Sequence, residues 1–109
     1  TYKLNRQGYL MLRLYDEKPI SIFLRENDRR ISVEFCNIKL KMKSCQFQLF
    51  HRYLGGVSQK INEDTDSVEL LLVKDSLNVT ISLHHFFQLN NAVKTVMSNK
   101  FGKDSILFN

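Results

Sequence analysis

Apolar residues recur at every second position through most of the N-terminal part of the chain, which is the pattern of half-buried β-strands. The alternating segments are 8–15, 20–25, 31–35 and 38–42. Polar residues at 16–19 and 26–29 separate the first three and predict turns. The parity of the alternation changes once, at Cys36 and Asn37, so we expect a tight turn or a bulge there. The pattern predicts four short strands in an antiparallel meander.

The segment 44–54 fits two kinds of element. As a helix, it would be capped by Ser44 and stopped by Gly55 and Gly56. The buried stripe of that helix would be Phe47, Phe50 and Leu54. As a strand, alternate residues from Phe47 to Tyr53 would share one face, and their aromatic content suits a strand. The signals at both ends favour the helix, and the strand stays as the alternative.

The C-terminal half begins with a polar stretch, 55–67, which we predict to be a flexible loop. The apolar run 68–73 predicts a strand that is covered on both faces. Residues 77–83 alternate clearly and predict another strand. From His84 onward the spacing becomes helical. The predicted helix stripe is Phe86, Leu89, Val93 and Val96.

These elements predict an α+β fold: an antiparallel β-sheet of about six short strands with two helices, of which the longer is C-terminal. The length of 109 residues suits a single domain spanning 1–109. Residues 1–7 and 103–109 are expected to be tails. The apolar residues of the C-terminal tail would dock on the domain or on a partner.

Two known folds have a similar order of elements. The order of four strands followed by a helix, with a second and shorter strand-then-helix unit later in the chain, resembles the PUR-type and Whirly-type domains. This resemblance implies binding of single-stranded DNA or RNA. If 45–54 is a strand, the order of seven strands and a C-terminal helix is similar to a pleckstrin-homology fold. That resemblance implies a phosphoinositide or peptide partner, although the Trp usual in the final helix of that family is missing here.

Charge is unevenly distributed along the chain. Residues 1–60 contain 12 Lys and Arg against 5 Asp and Glu, whereas residues 61–109 contain 4 against 6. An acidic partner would therefore dock on the N-terminal half. The N-terminus lacks the pattern of a signal peptide and no apolar run approaches the ~18 residues of a membrane span, so we expect an intracellular location. The chain has no initial Met, which would fit a trimmed form or a mature fragment.

Catalytic and metal-binding motifs are missing from the sequence. The four glycines lack the spacing of a phosphate-binding loop. Cys36 and Cys45 are too far apart in sequence for a zinc ligand pair, and the neighbouring His84 and His85 would point in different directions. We therefore expect a protein that is not an enzyme and that has no cofactor and no metal site.

One face of the predicted sheet combines aromatic and basic side chains. If the leucines and isoleucines of the first strands face the helices, the opposite face holds the candidate binding residues. They are Tyr9, Arg13, Tyr15, Phe23, Arg25, Lys39, Lys41 and Lys43. Aromatic rings stack on bases and cations hold phosphates in sheet platforms that bind single strands. Lysine rows also protect edge strands from aggregation, and the rings would equally suit a protein contact.

The sequence thus predicts a non-catalytic interaction domain that acts through protein–protein contacts or self-association. The alternative is a domain that binds single-stranded nucleic acid through the basic and aromatic face. A second alternative is a lipid or peptide binder of the pleckstrin-homology kind, and only in that case is a membrane head group a partner.

Overall fold

The computed structural model describes residues 2–4, 8 and 10–101, and it has the predicted α+β architecture. In chain order the strands are β1 (Tyr2–Leu4), β2 (Leu10–Glu17), β3 (Ile20–Arg25), β4 (Ile31–Phe35), β5 (Ile38–Met42), β6 (Ser67–Leu72) and β7 (Leu77–Ser82). The helices are α1 (Ser44–Ser58) and α2 (Leu83–Val96). A π-helical turn, Met97–Phe101, continues α2, so the C-terminal helical segment is the longer one, as predicted.

The strands form two separate antiparallel sheets. The larger sheet has the order β1-β2-β3-β4-β5, in which each strand pairs with its neighbour in sequence, and the smaller sheet is the hairpin β6-β7. The predicted meander of four strands is confirmed as β2 to β5. Strand β1 lies in the segment predicted as a tail, and it pairs with β2 from Leu4 opposite Leu10 to Tyr2 opposite Leu12. The predicted C-terminal tail lies outside the described residues.

A two-residue turn joins β4 to β5. Cys36 has φ 49° and Asn37 has φ 64°, and both lie between the paired residues Phe35 and Ile38. Two consecutive left-handed residues in a two-residue loop define the type I′ hairpin, whose twist suits the strands on either side. The tight turn expected from the change of parity is confirmed.

Residues 44–58 form a helix rather than a strand. The predicted stripe of Phe47, Phe50 and Leu54 is buried. The prediction that Gly55 and Gly56 stop the helix is wrong, since α1 passes through both and ends at Ser58. Because this segment is helical, the strand on which the pleckstrin-homology resemblance depended is not formed.

The start of α1 also differs from the prediction. Lys43, rather than Ser44, is the N-cap residue, and Ser44 is the first residue of the helix. The backbone N–H of Lys43 donates to Oε1 of Gln46 at 2.8 Å. Helix α1 therefore begins as soon as β5 ends, and the turn of chain between them is closed by a side chain of the helix itself.

Helix α2 packs on one face of the large sheet and also contacts the β6-β7 hairpin, and α1 packs against α2. The core combines Ile22 and Val33 of the sheet with Phe47 of α1, Leu70 of β6 and Phe86 of α2, all of which are fully buried. The whole predicted α2 stripe is buried. We call the opposite face of the five-stranded sheet the outer face. In the described part of the chain, neither helix is long and apolar enough to cross a membrane.

Strand β6 is covered on one face only, which corrects the prediction that both faces are buried. Val68, Leu70 and Leu72 are buried, whereas Glu69 and Leu71 between them are exposed. Within the described residues β6 pairs with β7 and contacts α2, and no described element covers the face of Glu69 and Leu71. As a result, Leu71 lies on the surface of the protein.

Candidate functional site

The strand register shows which predicted site residues share the outer face. Arg13 lies opposite Phe23, Phe23 opposite Ser32, and Ser32 opposite Lys41, so these four form one row across β2 to β5. Side chains of directly opposite residues point to the same face of a sheet. The predicted site residues on the outer face are Arg13, Phe23, Arg25, Lys39 and Lys41. Lys43 follows at the start of α1 and is exposed, and Tyr9 lies outside the described residues.

Tyr15 does not belong to this face. The β2-β3 register shifts between Arg13 and Tyr15, so Leu14 has no partner and Tyr15 pairs with Ile22 of the core face. A bulge of one residue moves every following side chain to the other face. The Tyr15 hydroxyl donates to Oε2 of Glu17 at 3.1 Å, and its ring packs against the core. Burial and this hydrogen bond raise the pKa of the Tyr15 phenol. The prediction that Tyr15 shares a face with Phe23 and Lys41 is wrong.

The remaining aromatic residue of the predicted outer face is buried. Phe23 is only 3% exposed, and its neighbours on the same face, Met11 and Ser32, are buried as well. Bases stack on rings whose flat surface is open to solvent. Of the rings predicted for this face, none within the described residues is therefore accessible to a base.

The arginines of the outer face are held by nearby carboxylates. Arg25 donates through Nε and Nη2 to the two carboxylate oxygens of Asp28, at 3.0 and 2.6 Å. This fork lowers the pKa of Asp28. Arg13 lies 3.4 Å from Asp16. Both pairs lie within one strand or turn, so they neutralise these two cations locally.

The lysines of β5 lie on a free strand edge. In a type I′ hairpin the flanking pair, here Phe35 and Ile38, exchanges both backbone hydrogen bonds. Hydrogen-bonded and non-hydrogen-bonded pairs alternate along an antiparallel ladder, so Leu40 bonds to β4 through its backbone. The backbone N–H and C=O groups of Lys39 and Lys41 then point away from β4, toward the outer edge of the sheet. No strand in the described part of the chain pairs with this edge. Two N–H donors and two C=O acceptors are thus open to a partner.

The free edge borders an apolar groove with a volume of about 460 Å³. Its lining residues come from three elements: Leu40, Lys41 and Met42 of β5, Gln46, Leu49, Phe50 and Tyr53 of α1, and Leu71, Leu72, Val73 and Lys74 at the end of β6. Consecutive residues of β5 line it, which means that the groove meets this strand at its edge rather than on one face. The groove therefore joins unpaired backbone groups to an apolar surface.

Three apolar side chains of the groove are largely exposed. Leu49 is 59% exposed, Leu71 43% and Val73 60%. They come from different elements but line the same groove. Single exposed apolar residues are common on protein surfaces, so the feature that sets these three apart is that they line one groove.

A hydrogen bond joins two of the elements that line the groove, α1 and β6. The backbone N–H of Leu71 donates to the hydroxyl of Tyr53 on α1 at 2.8 Å. Because this N–H points away from β7, the bond satisfies the free edge of β6 with a side chain of α1. The hairpin is thereby tied to α1 at one residue, and the Leu71 N–H is not available to a partner.

The wall of the groove at the β6-β7 turn has a strained backbone. Val73, Lys74 and Asp75 all have left-handed conformations, with φ of 53°, 54° and 67°. A β-branched residue in this region is an outlier, since its Cβ crowds the backbone. Val73 is thus unfavourable twice, through its conformation and its exposure. Strain of this kind clusters at functional sites.

The charges on the groove are positive. Lys41 and Lys74 are its charged lining residues, and the lining contains no carboxylate. Across the sheet from Lys41 lies Ser32, while Glu34 lies opposite Lys39. Lys41 therefore has no acidic residue opposite it.

A second cavity, of about 480 Å³, lies beside the turns that join β2 to β3 and β4 to β5. Lys18, Glu34, Asn37 and Lys39 contribute polar side chains to it. It does not include any of the exposed leucines or valines of the first groove. Its charges of both signs define no particular ligand.

The cysteines and histidines do not form a metal site within the described residues, where no group of three or more His, Cys, Asp or Glu could hold an ion. Cys36 Sγ lies 3.9 Å from Nδ1 of His85, a long contact, and Cys45 is exposed. His51 faces α2, where burial, with a smaller effect from Lys94, lowers its pKa. The expectation that the protein is not an enzyme stays a prediction.

Sequence reasoning missed the groove residues Leu49, Leu71 and Val73. Leu49 carries a signal, since it lies off the stripe of Phe47, Phe50 and Leu54 and so had to face away from the core. Leu71 and Val73 lie in a run that is apolar apart from Glu69. Glu69 was the available signal, because in a strand it shares a face with Leu71 and Val73 and a charged residue favours the solvent side.

No protein-family model matches this sequence, and neither a curated protein nor a solved structure shows significant similarity to it.

Proposed function

We propose that this chain is a protein-interaction domain that binds an extended segment of another protein as an additional strand along β5. One observation carries the proposal: the free edge of β5 opens directly into an apolar groove on which Leu49, Leu71 and Val73 are exposed. The backbone edge and the apolar surface would be used by the same ligand.

Strand addition explains why both features lie side by side. Backbone hydrogen bonds to an open sheet edge supply affinity whatever the sequence of the ligand, and pockets for alternate side chains supply specificity. Strand β5 has five residues, which corresponds to roughly 17 Å of extended chain. A segment of similar length would bond to Lys39 and Lys41 and place its inward side chains against Leu40, Met42 and the exposed leucines.

Single-stranded nucleic acid remains the second candidate, and the exposed lysines of β5 favour it. Lys39, Lys41 and Lys43 are exposed and would contact phosphates. The stacking surface that this mode of binding needs is weakened, because Phe23 is buried and Tyr15 faces the core. Strand addition uses the lysine edge and the apolar groove together, and nucleic-acid binding would use only the lysines.

The experiment that tests strand addition is a selection from a display library of random peptides of about nine residues, a little longer than β5. Leu71→Asp puts a charge on the groove, and Leu10→Asp is the matched control, because Leu10 is 45% exposed but does not line the groove. We expect peptides that bind the native chain and Leu10→Asp but bind Leu71→Asp about tenfold more weakly. Enriched peptides that bind both variants alike, or no enrichment, would contradict the proposal.

The backbone contribution is tested by Lys41→Pro beside Lys41→Ala. Proline removes the edge N–H while leaving the bonds of Leu40 to β4 in place, and edge strands tolerate it for that reason. Alanine removes the charge but keeps the N–H. Selected peptides should bind Lys41→Pro about tenfold more weakly than Lys41→Ala. Circular dichroism and thermal unfolding check that both variants stay folded.

A further inference from the structure

The chemistry of the β5 edge also defines the segment that it would accept. We infer that the ligand is an extended segment in which apolar residues alternate with Asp or Glu. This inference rests on the proposed function, and it names the class of partner: an acidic, amphipathic β-strand of another protein.

The two faces of an added strand would meet different surfaces. Side chains opposite Leu40 and Met42 would enter the groove, where Leu49, Phe50 and Leu71 surround them. Side chains at the alternate positions would lie on the outer face, beside Lys39 and Lys41. Because the period of a strand is two, these requirements alternate along the ligand.

The outer positions favour a negative charge. Lys39, Lys41 and Lys43 project at every second position along this edge, and within the described residues none of them is in a salt bridge. Opposite charges on directly opposed residues stabilise a strand pair, and like charges destabilise it. Glu34 offsets part of the charge of Lys39, whereas Lys41 has only Ser32 opposite it. We therefore assign the main electrostatic contact to Lys41.

The same charges argue against a second copy of this chain as the occupant. Pairing of two β5 edges would bring the lysines of both copies onto the same faces, where they repel. Lysines on an edge strand are a common means of preventing self-pairing. An acidic segment would instead be attracted to these lysines. The edge would therefore disfavour pairing with a second copy of this chain and favour pairing with an acidic strand.

The test measures fluorescence anisotropy with a labelled peptide of about seven residues in which Val alternates with Glu. Three other peptides have Val alternating with Thr, Val alternating with Lys, or the same Val and Glu residues separated into two blocks. We expect the Val/Glu peptide to bind about tenfold more tightly than the Val/Thr peptide, and the Val/Lys and block peptides to bind least. Affinity should fall as salt rises.

A charge exchange identifies the lysine that is responsible. Lys41→Glu should reverse the preference, so that the Val/Lys peptide binds this variant more tightly than the Val/Glu peptide does. Lys60→Glu, which changes the net charge equally at a residue outside the sheets and outside the groove, should leave the preference unchanged. Equal effects of the two variants would show only a general charge effect and would overturn the inference.

The remaining outcomes separate the inference from the proposed function. Equal binding of the Val/Glu and Val/Thr peptides, with both lost in Lys41→Pro, would overturn the acidic partner and leave strand addition intact. Binding of none of the peptides, while a labelled oligo-dT binds and is lost in Lys41→Glu, would overturn both in favour of single-stranded nucleic acid. Peptide binding that is unaffected by Lys41→Pro and Leu71→Asp would overturn both as well.

Discussion

Val73 combines a disfavoured backbone conformation with an exposed apolar side chain. Both properties lower the stability of the fold. Val73 lines the groove, so its side chain would offset this cost only by contributing to binding there. The residues around it, Lys74 and Asp75, share the left-handed conformation, but only Val73 is branched at Cβ. The strain is therefore concentrated on the side chain that forms the groove wall.

We predict that Val73→Asn raises the free energy of unfolding by about 1 kcal/mol, because Asn tolerates the left-handed region and Val does not. The same variant should weaken peptide binding, since it replaces an apolar wall by an amide. Urea unfolding measures the first effect and anisotropy the second. Asp75→Asn is the control, with a change in stability within about 0.5 kcal/mol. A Val73→Asn variant that is less stable than the native chain would show that the packing of Val73 outweighs its strain.

Leu14 shows how one residue limits what the sequence reveals. The alternation through 8–15 predicted that Tyr15 would share a face with Arg13, and each residue taken alone supports that pattern. The unpaired Leu14 changes the parity, and Tyr15 then faces Ile22. Leu14 fits the alternating pattern whether it is paired or lies in a bulge, so the pattern of apolar residues cannot show where the strand register shifts. The bulge removes Tyr15 from the predicted aromatic and basic face and leaves Arg13 and Phe23 on it.

At the scale of elements, the local signals were sufficient to predict the order of β2 to β5 and the two helices, but not the pairing of β1 or the bulge in β2. The meander β2 to β5, the turn at Cys36 and Asn37, and the buried stripe of α2 were all predictable, because period and turn chemistry agree there. Glycine was a poor guide, since α1 continues through Gly55 and Gly56. Tertiary packing of Phe50 and Leu54 outweighs the low helix propensity of two glycines, which costs about 1 kcal/mol each.

The contact between the two helices gives a prediction for pH dependence. Burial of His51 and the nearby Lys94 both disfavour the charged imidazole, so the pKa of His51 is lower in the folded state than in the unfolded chain. The unfolded state then binds more protons, and stability should fall as the pH drops through 6.5.

His51→Gln removes the titrating group and should flatten this dependence between about pH 5 and pH 7.5. Urea unfolding at a series of pH values measures the effect, and NMR titration of the imidazole gives the pKa directly. His84→Gln is the control, because His84 is exposed at the start of α2. A His51 pKa above the ordinary value would contradict the prediction.

At the scale of the whole molecule, no described strand pairs with the outer edge of β5 or with the part of β2 that follows Leu12. Edges of this kind cause aggregation unless charges or covering elements protect them. The hairpin β6-β7 is tied to α1 through Tyr53, whereas the edge of β5 has exposed lysines at every second position. The positive charge of the β5 lysines would therefore both favour an acidic partner and prevent pairing between copies of this chain.

We predict that the double variant Lys39→Val/Lys41→Val self-associates, because it keeps the open edge and the apolar groove but removes the repulsion between copies. Light scattering coupled to size-exclusion chromatography should show a mass that increases with concentration for this variant and not for the native chain. Lys60→Val/Lys94→Val loses the same charge away from the edge and should behave like the native chain. Equal masses for both double variants would show that the lysines of β5 have no protective role.

Gln46 sets the reach of any such contact. Its side-chain oxygen accepts the hydrogen bond from the backbone N–H of Lys43, which is the next N–H along the edge of β5 after that of Lys41. An added strand could therefore bond to the N–H groups of Lys39 and Lys41 but not to that of Lys43. A contact with so few backbone hydrogen bonds would hold a ligand briefly, because differences in affinity between related complexes lie mostly in how quickly they dissociate. Rival segments could then replace one another within the lifetime of the domain, and the choice among them would follow their local abundance.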